Sequence, residues 1–565
     1  MVQADNIIVR GNLTQVTQQS TFSSLDGLKS KWFLDFEDDG NVLNKRHPGT
    51  GLSDWTDGNK VEVLIDGKTL MEHFHSSLEK MIRFMEKNEN TPNPPNIWIS
   101  NLDMTNIELL GPKKGGKVYD LILKAAQKGV MVYLLHSSHF YQRIWCLGKL
   151  WKITLKKFIK KLNKENYGFA SIDRRTPIRA VQHQKFYICF WPNPKDWVAV
   201  ISSADFNEER WDTQKHLEVE KPSHELSVVV RGPAIRDIAL TFAERWNDRA
   251  NINRTAPQIT TSIPTQFLYV PIPTANIGTH SVQVLRTYPI HITRRNNSAL
   301  PPTSLSYSWS PHGEFTVWGA YLQAIKMAKH YIYIEDQYFG SSAALSSLGS
   351  SAKLLRDADL LYQLGKALER KVDIIILVPE EHEEKWGFKK VVNHQKLLSI
   401  NYLYNIYDET HSRSKESGRL VIRTLTVSNK PVLVHSKVMI VDDEFVLVGN
   451  ANIGHRSMTF DTEIHLGIVH KKGSFSRKMR LELWEEHLQL TKYESDERNP
   501  ESIINKLKDP REGITIFSND KGPGTRRLHP VEITIPTNPL YLCWQRFLGN
   551  LVIQPYAGPK RNMLG

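Results

Sequence analysis

The chain spells the same order of strands and helices twice, and that repetition limits the fold more than any single residue does. Residues 61–65 read as a strand, and residues 70–85 carry apolar side chains at helical spacing. A strand at 97–99, a helix at 118–127 and a strand at 130–135 follow. The second half repeats the order: strand 282–285, helix 318–328, strand 331–334, helix 360–368 and strand 372–378. Alternation of this kind predicts an α/β fold, with mixed or mostly parallel sheets covered by helices. Its recurrence predicts an internal duplication.

The two halves are expected to part within residues 251–279, where Pro257, Pro264, Pro271 and Pro273 stand among Thr, Ile and Asn. The division is then an unassigned N-terminal extension (1–60), a first domain (61–265) and a second (275–565). Residues 294–313 and the Ser-rich 340–351 read as surface loops.

With 565 residues, 40% of them apolar and 24% charged, the chain is globular and large enough to bury its cores without disulfides. Its three cysteines (Cys146, Cys189, Cys543) form no CxxC pair, which suits reduced thiols in the cytosol. A net charge of +13 points to an anionic partner: a phospholipid surface, a nucleic acid or a phosphorylated small molecule. The first residues show no signal peptide, and apolar runs such as 374–378 are too short to span a bilayer. A cytoplasmic or peripheral membrane protein is expected, with export without a signal peptide left open.

The most informative stretch is Val434-His435-Ser436-Lys437-Val438-Met439-Ile440-Val441-Asp442, followed by Gly449-Asn450-Ala451-Asn452. The apolar run after Lys437 predicts a buried strand, with His435 and Lys437 on one face at its start. Such a set can hold a phosphate, with Lys as a point charge, Asn as a donor, and His as nucleophile or proton carrier. The plain alternative is a core strand with polar residues at its end.

These residues resemble the HxKxxxxD…G[GS]xN motif of the phospholipase D superfamily, with Asn450 in place of the usual Ser or Gly. Two copies of that motif meet at a single site in the family, so the resemblance implies a second copy in the first half. His183-Gln184-Lys185 supplies it, but Phe190 stands where the Asp should be. After five extra residues, Ser202, Ser203 and Asp205 align with Gly449, Asn450 and Asn452. The resemblance resumes at Glu209-Arg210-Trp211-Asp212 and extends to residues 331–339, 452–458 and 483–488, which are similar to segments of the phospholipase branch. The first copy is read as an active half; a degenerate half and a coincidence are the alternatives.

The resemblance implies two similar domains related by a pseudo-twofold, with one active site between them. It implies a phospholipase D that releases phosphatidate and free head group through a phosphohistidine, and that also transfers phosphatidyl groups to primary alcohols. His183 would attack phosphorus and His435 would protonate the leaving alcohol, or the two roles are reversed. Lys185 and Lys437 would join them in catalysis, and Asn452, Ser202 and Ser203 would bind phosphate. Glu225, Glu463 and Asp442 are assigned as orienting residues. No metal and no cofactor is expected, and the partner is a phospholipid membrane surface rather than nucleic acid. A monomer is plausible. The rival readings are a nucleic-acid phosphodiesterase of the same superfamily and a decayed membrane-binding scaffold.

Two weaker signals remain. Gly111 to Val118 approaches a phosphate-binding loop, but Val118 stands where Ser or Thr is required, so a basic surface turn is expected. Residues 149–164 form a basic amphipathic helix, suited either to an anionic membrane or to packing its apolar stripe of Trp151, Leu155, Phe158, Ile159 and Leu162 into the domain.

Overall fold

Eight strands arise in the first half: β1 (Thr56–Ile65), β2 (Asn96–Asn101), β3 (Met131–Ser137), β4 (Gly168–Asp173), β5 (Phe186–Phe190), β6 (Val198–Ser202), β7 (Ser223–His224) and β8 (Leu226–Arg231). Seven of them make one sheet in the order β4-β3-β2-β5-β6-β8-β1, parallel across β4, β3 and β2 and antiparallel thereafter. The computed structural model describes residues 24–37, 43–112, 114–137, 148–173, 175–176, 180–248, 277–290, 307–342, 357–380, 387–414, 416–470, 473–519 and 526–533.

The second half adds β9 (His280–Tyr288), β10 (Glu314–Phe315), β11 (Tyr331–Glu335), β12 (Asp373–Leu377), β13 (Leu420–Val427), β14 (Lys430–Val434), β15 (Val438–Val441), β16 (Phe445–Gly449), β17 (Glu463–His470) and β18 (Leu528–Pro530). Its sheet runs β13-β12-β11-β15-β16-β17-β9, with the same parallel and antiparallel pairings in the same places. The duplication is therefore one of topology, strand for strand. β1 pairs with β9 through Thr56 opposite Val282 and Asn59 opposite His280, which joins the sheets edge to edge.

Why these strands are central follows from their side chains. β2, β5, β6, β15 and β16 are buried at every position, and apart from polar residues at the ends of β2 and β6 they read as continuous apolar runs rather than alternating ones. One core is common to both sheets: Trp98, Ile188 and Val228 of the first pack in one cluster with Val284, Ile440 and Val446 of the second. The helices Ala234–Trp246 and Ser474–His487 contribute Phe242, Met479 and Trp484 to it. The outer faces are covered separately. Helix Asp66–Lys87 presents Leu70, Met71, Phe74, Leu78, Met81, Ile82 and Met85 inward from one stripe.

The described part of the N-terminal extension packs on the second half. Trp32 stacks on Phe445 with ring centroids 5.3 Å apart, and Leu28, Phe33 and Leu34 join the cluster of Ile332, Ile374 and Leu447. In the basic helix (Gly148–Leu162), Leu155, Phe158, Ile159 and Leu162 are buried, and Phe158 stacks on Tyr119 at 4.0 Å. These four residues of its apolar stripe are thus buried inside the domain, the Trp151 side chain lies outside the described residues, and the exposed face carries Lys156, Lys157, Lys160 and Lys161. The loop before Val118 is a turn closed by the Glu108–Lys117 bridge, and Val118 itself is fully buried. Among the described residues, no helix is long and apolar enough to cross a membrane. The predicted boundary and the two predicted surface loops lie largely outside the described residues, as do Cys146 and Cys543.

Candidate active site

Both His-x-Lys motifs end immediately before a central strand, β5 after Lys185 and β15 after Lys437. Each approach to a motif is strapped to the opposite half. Thr462 N donates to Val181 O and His183 N to Thr462 O, both at 3.0 Å. Reciprocally, β14 runs parallel to β7, and His435 N donates to His224 O at 2.9 Å. The straps place each predicted glutamate beside the imidazole of the other half. Glu463 Oε2 lies 2.8 Å from His183 Nδ1, and Glu225 Oε2 lies 2.8 Å from His435 Nδ1. A carboxylate on Nδ1 fixes the tautomer that carries its lone pair on Nε2. No described residue hydrogen-bonds either Nε2.

The lysines are buried with them. Lys185 Nζ donates to His183 O at 3.2 Å and lies 3.7 Å from Asp205 Oδ2, while Lys437 Nζ donates to Gln337 Oε1 at 3.1 Å and to His435 O. Burial holds both imidazoles well below the ordinary histidine value, and the nearby lysines add to it; for His435 the Arg210 guanidinium is the larger charge. Burial also pushes the Glu463 carboxyl up to about 7 and brings Lys437 down to about 7. Burial and the two lysines therefore keep the His183 imidazole neutral at neutral pH. Lys185 and Lys437 both act on His183, so the charges of the two halves belong to one cleft.

Two assignments made from sequence change place. Ser203 is not free for phosphate, since its Oγ donates to Glu225 Oε2 at 2.5 Å and accepts from Leu226 N at 2.9 Å, whereas Ser202 Oγ accepts from Ala204 N and from Ser227 Oγ. Ser203 supports the glutamate that supports His435. Asp442 reaches no imidazole. It sits at the far end of β15, where its carboxylate accepts from the N–H groups of Lys329, His330 and Tyr331 and so fixes the start of β11. Asn452 is buried, and its Oδ1 has no partner among the described residues.

Two residues missed from sequence complete the site. Arg210, buried, places Nε 3.3 Å from Glu225 Oε1. Asn450 crosses between halves, accepting from Lys185 N at 3.1 Å through Oδ1 and donating to Ser202 O. Both lie inside the quoted motifs, which is the only signal that marked them.

Known proteins carry the same signature. A family model described as Phospholipase D matches residues 196–382, and one described as Cardiolipin synthase, PLD-like domain, matches residues 321–485. The chain belongs to the phospholipase D superfamily. The second model spans His435, Lys437, Asp442, Asn452 and Glu463, whereas His183 and Lys185 precede both. Relatives include Phospholipase D A of Dictyostelium discoideum (26% identical, over 48% of this chain and 21% of that protein) and Phospholipase D beta 2 of Arabidopsis thaliana (25%, 53% and 42%). Phospholipase D1 of Mus musculus is 25% identical over 51% of this chain and 28% of its own length. The chain thus spans less than half the length of these superfamily relatives. Among solved structures, a phosphatidylserine synthase of Haemophilus influenzae aligns with a TM-score of 0.47 at 14% identity, over 80% of this chain and 94% of that one.

Proposed function

We propose that the chain is a phospholipase D: a phosphodiesterase that cleaves glycerophospholipids at an anionic membrane surface by two displacements at phosphorus. The observation that carries this reading is the reciprocal pair of His–Glu contacts, each made across the two halves, around two buried lysines. Two imidazoles with unbonded Nε2 atoms provide a nucleophile and a proton carrier, and the cations between them suit a phosphoryl group.

In the first step, the His183 Nε2 lone pair forms a bond to phosphorus as the bond from phosphorus to the head-group oxygen breaks. His435 gives its proton to that oxygen. The free cleft holds His435 neutral, but an incoming phosphodiester anion offsets Lys185, Lys437 and Arg210, so the imidazole gains its proton as substrate binds. In the second step, water attacks phosphorus, passes its proton to His435 and releases His183 with phosphatidate. Lys185, Lys437 and Asn452 hold the phosphoryl oxygens throughout, and Glu463 and Glu225 keep the rings aligned.

Because the second displacement does not dictate its acceptor, ethanol should compete with water. Phosphatidylcholine vesicles with added ethanol, followed by mass spectrometry, should yield phosphatidylethanol at the expense of phosphatidate while lipid consumption stays similar. Phosphatidate formed freely with no phosphatidylethanol at high ethanol contradicts the covalent route. Intact lipid beside cleaved oligonucleotide contradicts the lipid substrate.

A further inference from the structure

Next to Glu225 in the chain, His224 belongs to a second buried cluster that the phosphoryl chemistry does not use. Asp66, His216, His224 and Glu486 each offer one ligand atom, and the four atoms lie within 4.8 Å of one another. His224 Nδ1 is 3.1 Å from Asp66 Oδ1 and 3.0 Å from Glu486 Oε1, and His216 Nε2 is 3.3 Å from the same Glu486 oxygen. A tetrahedral ion with bonds of 2.0–2.1 Å keeps its ligand atoms about 3.3 Å apart. These three separations are already close to that spacing, and the others lie within 4.8 Å.

The outer contacts are those that metal-binding histidines need. His216 turns its other nitrogen, Nδ1, to Asp212 Oδ2 at 2.8 Å, and Asp212 is held there by Ser223 N at 2.9 Å. His224 turns Nε2 to Glu335 Oε2 at 3.1 Å, and Glu335 is held by Tyr333 Oη at 2.6 Å and His487 Nε2 at 2.8 Å. In each case a carboxylate fixes the ring so that the remaining nitrogen points at the shared centre. The second oxygens of the same two carboxylates, Asp66 Oδ2 and Glu486 Oε2, are buried without a hydrogen-bond partner among the described residues, so both carboxylates keep acceptor capacity that a cation in the cluster would help to satisfy.

We propose that Asp66, His216, His224 and Glu486 form a structural site for one divalent transition-metal ion, zinc by the chemistry of the ligand set. Four protein ligands close a tetrahedron and leave no position for substrate, so the ion holds structure and takes no part in phosphoryl transfer. Its ligands come from helix Asp66–Lys87 and the segment before Glu225 in the first half, and from helix Ser474–His487 in the second. The ion therefore ties the halves together immediately beside Glu225. It also fixes His224, whose carbonyl receives the N–H groups of His435 and Ser436. Protons on the two imidazoles would balance the same buried carboxylates, and the test separates the two cases.

The full chain, purified without a metal-affinity tag and stripped with chelator, is mixed with one equivalent of Zn²⁺ or Co²⁺, desalted, and assayed for metal by mass spectrometry. The expected results are about one ion retained per chain, visible absorption typical of tetrahedral Co²⁺, and a melting temperature raised by about 5 °C. Retention should fall at least about tenfold in His216→Gln and Glu486→Gln. If those variants fail to fold, the cobalt spectrum of the unaltered chain decides. No retained ion and an unchanged melting temperature overturn the proposal in favour of a proton-balanced network, and so does full retention in folded variants. None of these readouts depends on activity, so the site can fail while the phosphodiesterase reading stands.

Discussion

Lys437 is buried beside Lys185 and Arg210, and its ammonium is held at about 7 chiefly by loss of solvation, with Glu225 and Asp336 opposing. A cation that titrates there sets one limit on a phosphoryl site, and the two imidazoles, held below the ordinary histidine value, set the other. As pH falls through the imidazole range the nucleophile takes up a proton and its lone pair is lost. As pH rises through about 7, Lys437 loses its charge in the free protein. The rate constant kcat/KM on a soluble short-chain phosphatidylcholine is therefore expected to be a broad bell, with its acid limb below the ordinary histidine range and its alkaline limb near 7. The alkaline limb of kcat should lie higher, because a bound anion favours the ammonium. Lys437→Arg keeps the charge at every accessible pH, so its alkaline limb should move up even if the rate drops. An alkaline limb unmoved in that variant would show that another group controls it.

At the scale of strands and turns, the two copies of the motif differ in a way that their pairing explains. In the second half, Ile332 pairs with Val441, and Asp442 accepts from the N–H groups of Lys329, His330 and Tyr331. In the first half, the same register pairs Ile97 with Cys189, and the matching three residues are Pro94, Pro95 and Asn96. Two of the three N–H groups do not exist there, so the carboxylate has little to satisfy. Phe190 can then fill its place, packed against Trp98 at 4.7 Å and Trp197 at 4.9 Å. The missing Asp is a local exchange of a cap for a proline start and carries no sign of decay in the reacting groups. Asp442→Ala should lower stability by about 1–3 kcal/mol. Phe190→Asp should cost about 3–5 kcal/mol or more, since it removes a core ring and buries a charge without donors. Denaturant unfolding of the two variants measures both, and a stabilised Phe190→Asp would contradict the account.

That comparison also marks what the sequence could and could not show. Strand and helix order, both His-x-Lys motifs and the two glutamates were legible because apolar spacing and short motifs are local properties. That each glutamate serves the opposite half was not, since His183 and Glu463 stand 280 positions apart and His435 and Glu225 stand 210 apart. Ser203 was misread for the same reason: its hydroxyl is taken by Glu225 and Leu226 once β6 and β8 pair. The cluster around His224 escaped because its members are scattered from residue 66 to residue 487.

Across the whole molecule, the halves share a core, an edge pairing and a site, so neither half holds a complete set of reacting groups. The exposed lysines of helix Gly148–Leu162 give the molecule a cationic face, and Leu155, Phe158, Ile159 and Leu162 of its apolar stripe are buried in the domain. Adhesion there should be electrostatic, worth roughly 1 kcal/mol per lysine near an anionic surface and weakened by salt. Changing Lys156, Lys157, Lys160 and Lys161 to Gln should weaken sedimentation with anionic vesicles while sparing turnover of a soluble short-chain lipid. Equal losses in both assays would make the helix a folding element only.

The proposed phosphohistidine is the step that would draw on the cross-braced pairs, the neutral imidazole and the lysines together. The direct measurement is to mix protein with phosphatidylcholine vesicles, quench within one turnover in alkali, where a phosphohistidine survives, and map the adduct by peptide mass spectrometry. The account predicts a phosphatidyl adduct on His183 that vanishes in His183→Ala together with at least about 10²-fold of the rate. An adduct on His435 that persists in His183→Ala, or full product formation with no adduct on either histidine, would contradict it.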